Sequence, residues 1–441
     1  MRKSRPLSSI LRSLARLAAP VAVARLGIMG MGIADTVVVG QLAPADLPAL
    51  ALGWAPTGVM LVTGIGLLMG VQVLAARAVG EGARENAGAV WRRGLVIAAL
   101  AGLVGAIGLA TVVEPLFDLF GIEPALARSS ATVSRILGLS LGLHFAYVCC
   151  AFFLEAVQRP MAGTVVIWAA NAVNLALNLV FVPQLGARGS AWATVGGRLF
   201  LFAALGGWVL LSRAGREHGA RTKSPGAPSY RALLAVGAAA AVSQLAEAGA
   251  FSALTVIAGR IGADAVAAYQ LLLNTLAVVF MISLGVAAAT AVLVSEAWGT
   301  RDAREAGRIG WAGLALNSAG MLVCAFLLLG ASRLIAESLT SDAALAALVA
   351  SLMPVAALVL LPDGGQVVVA SALRARGDNW LPTASHVFSY VVVMPPLAWW
   401  LGQHAGRGVA GLMEAIVVAS IVSVAVLMAR LARLTPAKKG V

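Results

Sequence analysis

Long apolar runs, each ended by a short basic or polar connection, recur along the whole chain. A helix needs about 20 mostly apolar residues to cross the hydrocarbon core of a bilayer. Twelve stretches meet that need, at approximately 13–40, 47–76, 94–113, 131–154, 161–183, 189–211, 232–258, 265–297, 309–332, 345–373, 381–401 and 408–430. Spans two and eight are long enough to cross at a tilt. None shows the alternation of polar and apolar residues, in ten-residue strands, that marks a membrane β-barrel. The pattern predicts an all-α polytopic membrane protein with twelve transmembrane helices.

Cytoplasmic loops carry the excess of Lys and Arg, so sorting these residues by alternate connections predicts orientation. One side collects 24 of the 32 basic residues, from Arg2, Lys3, Arg5, Arg12 and Arg16 at the start to Arg433, Lys438 and Lys439 at the end. Arg213, Arg216, Arg221 and Lys223 belong to the same side, in the longest polar connection, 212–230. The other side holds only Arg128, Arg188, Arg260, Arg333 and Arg407. Both termini are expected in the cytoplasm.

The 212–230 connection has six spans on either side, which prompts a search for an internal repeat. One emerges at the constant offset that carries Gly40 onto Gly259. At this shift Gly66, Val73, Leu74, Ala78, Gly80, Ala87 and Gly88 fall on Gly285, Val292, Leu293, Ala297, Gly299, Ala306 and Gly307, and Arg188-Gly189 falls on Arg407-Gly408. Six spans per repeat is an even number, so the halves enter the membrane in the same orientation. An axis along the membrane normal, with a cavity between the bundles, is the expected arrangement of a transporter that rocks two bundles. The expected division is 1–211, a linker at 212–230, and 231–441.

Composition sharpens this picture. A soluble chain of 441 residues would form two or three domains, but 60% of this one is hydrophobic and 12% charged, against about 25% charged in soluble domains. Its net charge of +13 comes from the membrane-flanking connections, so no nucleic-acid partner is expected. Cys149, Cys150 and Cys324 lie in apolar runs without metal-ligand spacing. The basic start MRKSRPLSSILRSLAR leads into a full span and not into a cleavable signal. No GxxxxGK[ST] phosphate loop or HExxH motif occurs, which argues against a metalloprotease or an ATP-driven pump. Energy is then expected from an ion gradient, unless transport is passive.

Ionisable groups inside a bilayer are expensive and need a reason. Asp35 in span one, Glu247 in span seven and Asp363 in span ten each stand at least four residues from any other charge. Desolvation favours the neutral form of a carboxylate, which is one way to couple to protons. Neighbouring hydroxyl, amide or carbonyl oxygens would instead suit Na⁺. Asn171, Asn174 and Asn178 form one stripe on span five, Arg25 and Arg198 stand in spans one and six, and Trp54, Tyr269 and Tyr390 are candidate cavity residues. Glu414 stands near the outer end of span twelve, and Asp35 is expected to be the sole acid within the first six spans. Pro362, directly before Asp363, is placed to kink span ten.

The segments APVAVARLGIMGMGIADTVVVGQL (19–42), NLALN (174–178), QLAEAGAFSAL (244–254), the run 267–299 and DGGQVVVASALRARGDNW (363–380) occur in an order that resembles the multidrug and toxic compound extrusion (MATE) family, NorM-like branch. The resemblance implies a secondary antiporter of the bacterial inner membrane, exporting amphipathic organic cations in exchange for Na⁺ or H⁺. It implies no cofactor, and a monomer among membrane lipids. By the match, Asp35 is the coupling carboxylate of the first lobe, with Asn174 and Asn178 beside it. Glu247 and Asp363 are the cation-site carboxylates of the second lobe and the Na⁺ candidates. Arg25 departs from the family by replacing a small or neutral residue, Tyr269 by replacing a His, and Val359 by replacing an aromatic. The alternative is a flippase of lipid-linked saccharides, whose anionic cargo would call for a cationic cavity. The in-span cations Arg25, Arg135 and Arg198 against the acids Asp35, Glu247, Asp363 and Glu414 favour cationic cargo.

Overall fold

A computed structural model describes residues 5–222, 224, 226 and 228–435. Arg2, Lys3, Lys223, Lys438 and Lys439 of the basic count lie outside the described residues. Within them the chain is helical, without strands. The first-half helices are α1 (Leu7–Leu42), α2 (Leu47–Gly80), α3 (Arg84–Thr111), α4 (Pro124–Leu139 with Leu141–Ala156), α5 (Met161–Leu185) and α6 (Ala187–Leu211). The second-half helices are α7 (Tyr230–Ile261), α8 (Ala263–Gly299), α9 (Ala303–Gly330), α10 (Ala343–Ala375), α11 (Trp380–His404) and α12 (Gly408–Leu434). Eleven of these are long and apolar enough to cross a membrane, and α4 makes a twelfth as a pair of helices bent by 42° at Ser140.

α10 runs through both Pro354 and Pro362 without a break in its helical winding. The two prolines in α11 act differently. Pro395 and Pro396 lack the N–H groups that would bond back one turn, which frees those carbonyls. The backbone before them winds with π-helical bonding over Val387–Val393, and again over Trp400–His404. Wide turns of this kind re-aim side chains, and Tyr390 stands in the first of them.

The chain forms two compact units, one of residues 23–241 and the other of residues up to Ala22 together with those from Val242 onward. The division therefore falls inside α1 and α7, not in the 212–230 connection. Both helices run unbroken through the division points, so composition carries no mark of it. The division points Ala22 and Ala241 are themselves one repeat offset apart.

Small residues make the corresponding contacts in each unit. A Cβ on Gly66 of α2 would lie 2.8 Å from the Cα of Ala241, and a Cβ on its repeat mate Gly285 would lie 2.6 Å from the carbonyl oxygen of Ala18. Gly88 and Gly307 repeat the theme against the chain that follows the sixth helix of each half. A Cβ would come within 2.2 Å of the Gly219 backbone at the first, and within 2.5 Å of the Thr435 side chain at the second.

Part of the 212–230 connection is anchored. Ser212 caps a short helix, Arg213–Glu217, by accepting from the Gly215 amide at 3.1 Å. The Gly88 amide donates to the His218 carbonyl at 2.8 Å, and Arg92 Nη1 donates to the carbonyls of Gly219 (2.6 Å) and Ala220 (2.9 Å). This length of chain is thus part of the unit of residues 23–241.

The tight glycine contacts give a stability test. A Cβ on Gly237 would sit 1.9 Å from the Leu67 carbonyl oxygen, whereas one on Gly249 meets nothing within 4 Å. Overpacking of this kind costs about 1–3 kcal/mol, while an unhindered Gly→Ala change in a helix gains up to about 1 kcal/mol. Gly237→Ala should lower the melting temperature in detergent and Gly249→Ala should leave it unchanged or raise it, as read by thermal unfolding of the purified protein.

Candidate cation-binding sites

Asp35 is fully buried, held between three helices of its unit. Its Oδ1 accepts from Asn178 Nδ2 of α5 at 2.7 Å, and its Oδ2 accepts from Thr194 Oγ1 of α6 at 2.6 Å. The asparagine stripe exists because α5 presents positions 171, 174 and 178 to α1. Asn171 Nδ2 donates to the Gly27 carbonyl at 2.9 Å, and Asn178 reaches Asp35. Asn174 is fully buried between them, and its amide oxygen and nitrogen find no hydrogen-bond partner among the described residues.

Thr194 is a contact that sequence reading missed. Its signal was the spacing of one turn from Arg198, which puts a hydroxyl and a guanidinium on one face of α6. Arg198 is buried, donates from Nη1 to Ser140 Oγ at 2.8 Å and lies 5.4 Å over the Trp54 ring. It is near enough to Asp35 for the two charges to interact.

Arg25 meets an acid that the span count left out. Asp35 is not the sole interior acid of the first half, because Glu155, one residue past the estimated end of span four, is buried within α4. Arg25 Nη2 stands 3.6 Å from Glu155 Oε1, while Gln72 Nε2 donates to Glu155 Oε2 at 2.5 Å. The Arg25 guanidinium also lies 5.4 Å over the Phe152 ring. The basic residue that departs from the family pattern therefore has a local reason, a carboxylate that it neutralises.

In the other unit, Asp363 of α10 is half-buried. Its Oδ1 accepts from Tyr390 Oη of α11 at 2.7 Å and from Ser420 Oγ of α12 at 3.2 Å, and the two hydroxyls are 3.0 Å apart. Tyr390 joins the site because the π-helical stretch carries it there. Gln366, one turn along α10, is fully buried with neither amide atom partnered among the described residues. Glu247 of α7 is also half-buried, one turn from Phe251, whose ring lies 6.1 Å from that of Tyr390. Tyr269 is not in this group. It is fully buried, with its hydroxyl 3.4 Å from the Phe251 carbonyl. Glu414, at the end of α12, pairs with Arg407.

The oxygen donors around Asp363, all hard and uncharged apart from the acids, suit a small monovalent cation or a proton. No group of three or more His, Cys, Asp or Glu side chains with metal-binding geometry occurs among the described residues. What the two units share is a carboxylate set in neutral hydrogen-bond donors inside a membrane-spanning bundle. That arrangement suits a membrane transporter.

Comparison with known proteins agrees. The MatE family model matches residues 20–180 and again residues 239–400, and the two matches begin one repeat offset apart. A Caulobacter vibrioides protein described as a probable multidrug resistance protein NorM is 40% identical over 96% of this chain and 92% of its own length. The multidrug resistance protein NorM of Burkholderia vietnamiensis is 33% identical, over 94% of this chain and 92% of its own. Among solved structures, the eukaryotic MATE transporter AtDTX14 superposes with a TM-score of 0.87 at 16% identity, over 97% of this chain and 99% of its own. A MATE transporter in the bent conformation superposes at 0.86 with 19% identity, over 98% and 99%. The protein belongs to the MatE family. It is an integral membrane transporter of the multidrug-efflux type, acting on small organic molecules, and not an enzyme.

The geometry around Asp35 separates a charge effect from a folding effect. In Asp35→Asn, the amide oxygen can keep the Asn178 bond and the new NH₂ can donate to Thr194, whose own hydroxyl then donates to the Ser190 carbonyl 3.1 Å away. Asp35→Leu leaves one N–H of Asn178 without an acceptor, at about 1–3 kcal/mol, while Thr194 falls back on the Ser190 carbonyl. Thermal unfolding in detergent should find Asp35→Asn close to wild type and Asp35→Leu clearly destabilised.

Proposed function

We propose that this protein exports amphipathic organic cations across the bacterial inner membrane in exchange for Na⁺ or H⁺, as a monomer with both termini in the cytoplasm. The observation that carries the reading is the placement of Asp35, Glu247 and Asp363 inside the spans, with Asp35 and Asp363 each held by neutral side-chain donors from two neighbouring helices. Such carboxylates can exchange one cation for another without rebuilding their surroundings. The curated relatives, described as multidrug resistance proteins, support an export role with broad cargo. A flippase of anionic lipids is less well supported, because the interior guanidiniums Arg25 and Arg198 already face acids. Release of cargo follows when Asp35 takes a proton or Na⁺ from outside and loses its attraction for a cation.

Efflux of ethidium from proteoliposomes under separately imposed pH and Na⁺ gradients tests the exchange and names the ion. Cargo movement driven by neither gradient would overturn it. Asparagine at position 35 mimics the protonated acid but cannot ionise. Each pKa unit of lost switching corresponds to about tenfold in occupancy. Asp35→Asn should therefore slow ethidium efflux by at least about tenfold at matched protein levels, between about pH 6 and 8. Efflux at the wild-type rate would reduce Asp35 to a packing residue. A reporter inserted in the 212–230 connection should be active only if it is one that works in the cytoplasm, and periplasmic activity would reverse the orientation.

A further inference from the structure

The repeat offset holds across whole elements. It carries α3 onto α9, α4 onto α10 and α5 onto α11, first residue onto first and last onto last. Positions in the two units can therefore be paired residue by residue, and one pair of corresponding turns differs in its chemistry.

In the unit of residues 23–241, the α1–α2 turn closes on the start of α6 through one side chain. Asp46, in the short 3₁₀ turn Pro44–Asp46, accepts from the Ala187 amide on Oδ2 at 3.1 Å. The carboxylate is seated so closely that a Cβ on Gly186 would lie 1.6 Å from Oδ2. The first amides of a helix have no partner within it and its dipole favours an anion there, so a carboxylate answers both.

The other unit has no acid at this position. The mate of Asp46 is Ala265, which is buried, and the mate of Ala187 is Gly406. The acid stands one place earlier, at Asp264, and one residue of helix turns a side chain by about 100°. Asp264 is exposed. Between the α7–α8 turn and the start of α12 lies a cavity of about 420 Å³, lined by residues 261–265 and 406–410 with Leu348 and Leu352 of α10. A Cβ on Gly406 or Gly408 would meet nothing within 4 Å.

The lining defines what fits. The first residues of α12 bring their amides to the cavity, and Arg407 stands beside them. Its Nη2 pairs with Glu414, which leaves the hydrogens on Nε and Nη1 for another acceptor. That side suits a phosphate, and Asp264 suits an ammonium. Ile261, Leu348, Leu352 and Val409 supply apolar walls. Trp399 and Trp400, shortly before Gly406 in the chain, are exposed, and exposed tryptophans gather at the level of lipid headgroups.

We propose that this cavity binds a phosphoethanolamine group, with the phosphate capping α12 beside Arg407 and the ammonium at Asp264. The bound group does for this unit what the Asp46 carboxylate does for the other. The apolar walls and the tryptophans assign its source to a membrane phospholipid. Leu352 stands eleven residues before Asp363, about 16 Å along α10, so the site is separate from the interior carboxylates.

The test is thermal unfolding of the purified full-length protein in detergent, with phosphatidylethanolamine, phosphatidylglycerol or free phosphoethanolamine added. A ligand that binds only the folded state raises the melting temperature with its concentration. Phosphatidylethanolamine should stabilise the wild type. Phosphatidylglycerol, which has the phosphate without the ammonium, should need about threefold more for the same rise, the weight of an exposed ion pair. Asp264→Asn should remove that difference. Ala265→Asp restores a carboxylate at the mate of Asp46. Without lipid it should melt at or above the wild-type temperature, and its apparent affinity for phosphatidylethanolamine should fall at least about tenfold. Leu348→Trp fills the cavity from α10 without adding charge and should lose the same response, which decides the matter should Ala265→Asp fail to fold. A response to free phosphoethanolamine that Ala265→Asp removes supports the headgroup contacts alone, and a response to the lipid alone that Ala265→Asp removes supports the phospholipid as source. Wild-type responses in both Ala265→Asp and Leu348→Trp would overturn the site. A wild type that responds no better to phosphatidylethanolamine than to phosphatidylglycerol would overturn the assigned ligand.

Discussion

A charge in the interior of a membrane bundle has to be answered within a few ångströms, because lipid offers it nothing. Much of the helix arrangement follows from that constraint. Between apolar helices in a bilayer the hydrophobic effect gives little preference for one neighbour over another, so polar contacts and close packing of small residues decide which helices meet. Asp35, Asn178 and Thr194 tie α1 to α5 and α6. Arg25, Glu155 and Gln72 tie the same α1 to α4 and α2. Asp363, Tyr390 and Ser420 tie α10 to α11 and α12, and Arg374, Ser243 and Thr383 tie α10 to α7 and α11. Each knot joins three helices, and each contains at least one group that would be expelled from lipid if it stood alone.

The spans were legible because about 20 apolar residues in a row have few other uses. Asp35, Asn178 and Asp363 were legible for the converse reason, since polar residues far from any span end have no water to reach. Legibility failed where position along a span was ambiguous. Glu155 and Arg374 both stand near helix ends, where the default expectation is a side chain extending into water, yet both are buried. Arg374 was accordingly counted among the loop cations that set orientation. Thr194 went unnoticed because a single hydroxyl is cheap to place anywhere in a helix, and its one-turn spacing from Arg198 is a faint signal beside a charge. The site around Asp363 was half legible. The acid could be read, but Tyr390 enters it through a π-helical stretch ahead of Pro395 and Pro396, and such a shift of register cannot be counted from α-helical spacing.

The repeat ties these features to the family. One constant offset relates Gly66 to Gly285 and Gly88 to Gly307, and it separates both the two matches to the family model and the two points at which the compact units divide. Chemistry has not followed the same symmetry. The first unit adds a buried acid, Glu155, with Arg25 beside it, whereas the second sets Asp363 among the hydroxyls of Tyr390 and Ser420. A duplicated scaffold can hold its packing rules while the charges placed on it diverge.

The division within α1 and α7 bears on how the molecule is made. The residues before Val23 belong to the unit whose remaining members begin at Val242, half a chain later on the ribosome. The front of α1 therefore enters the bilayer long before its final neighbours exist, and the unit of residues 23–241 closes only when the start of α7 arrives. Neither unit has all of its members until chain beyond the first 222 residues has been made. The first helix has to wait in the lipid, with one end already committed and the other still without a home, until the nascent chain has delivered the second half.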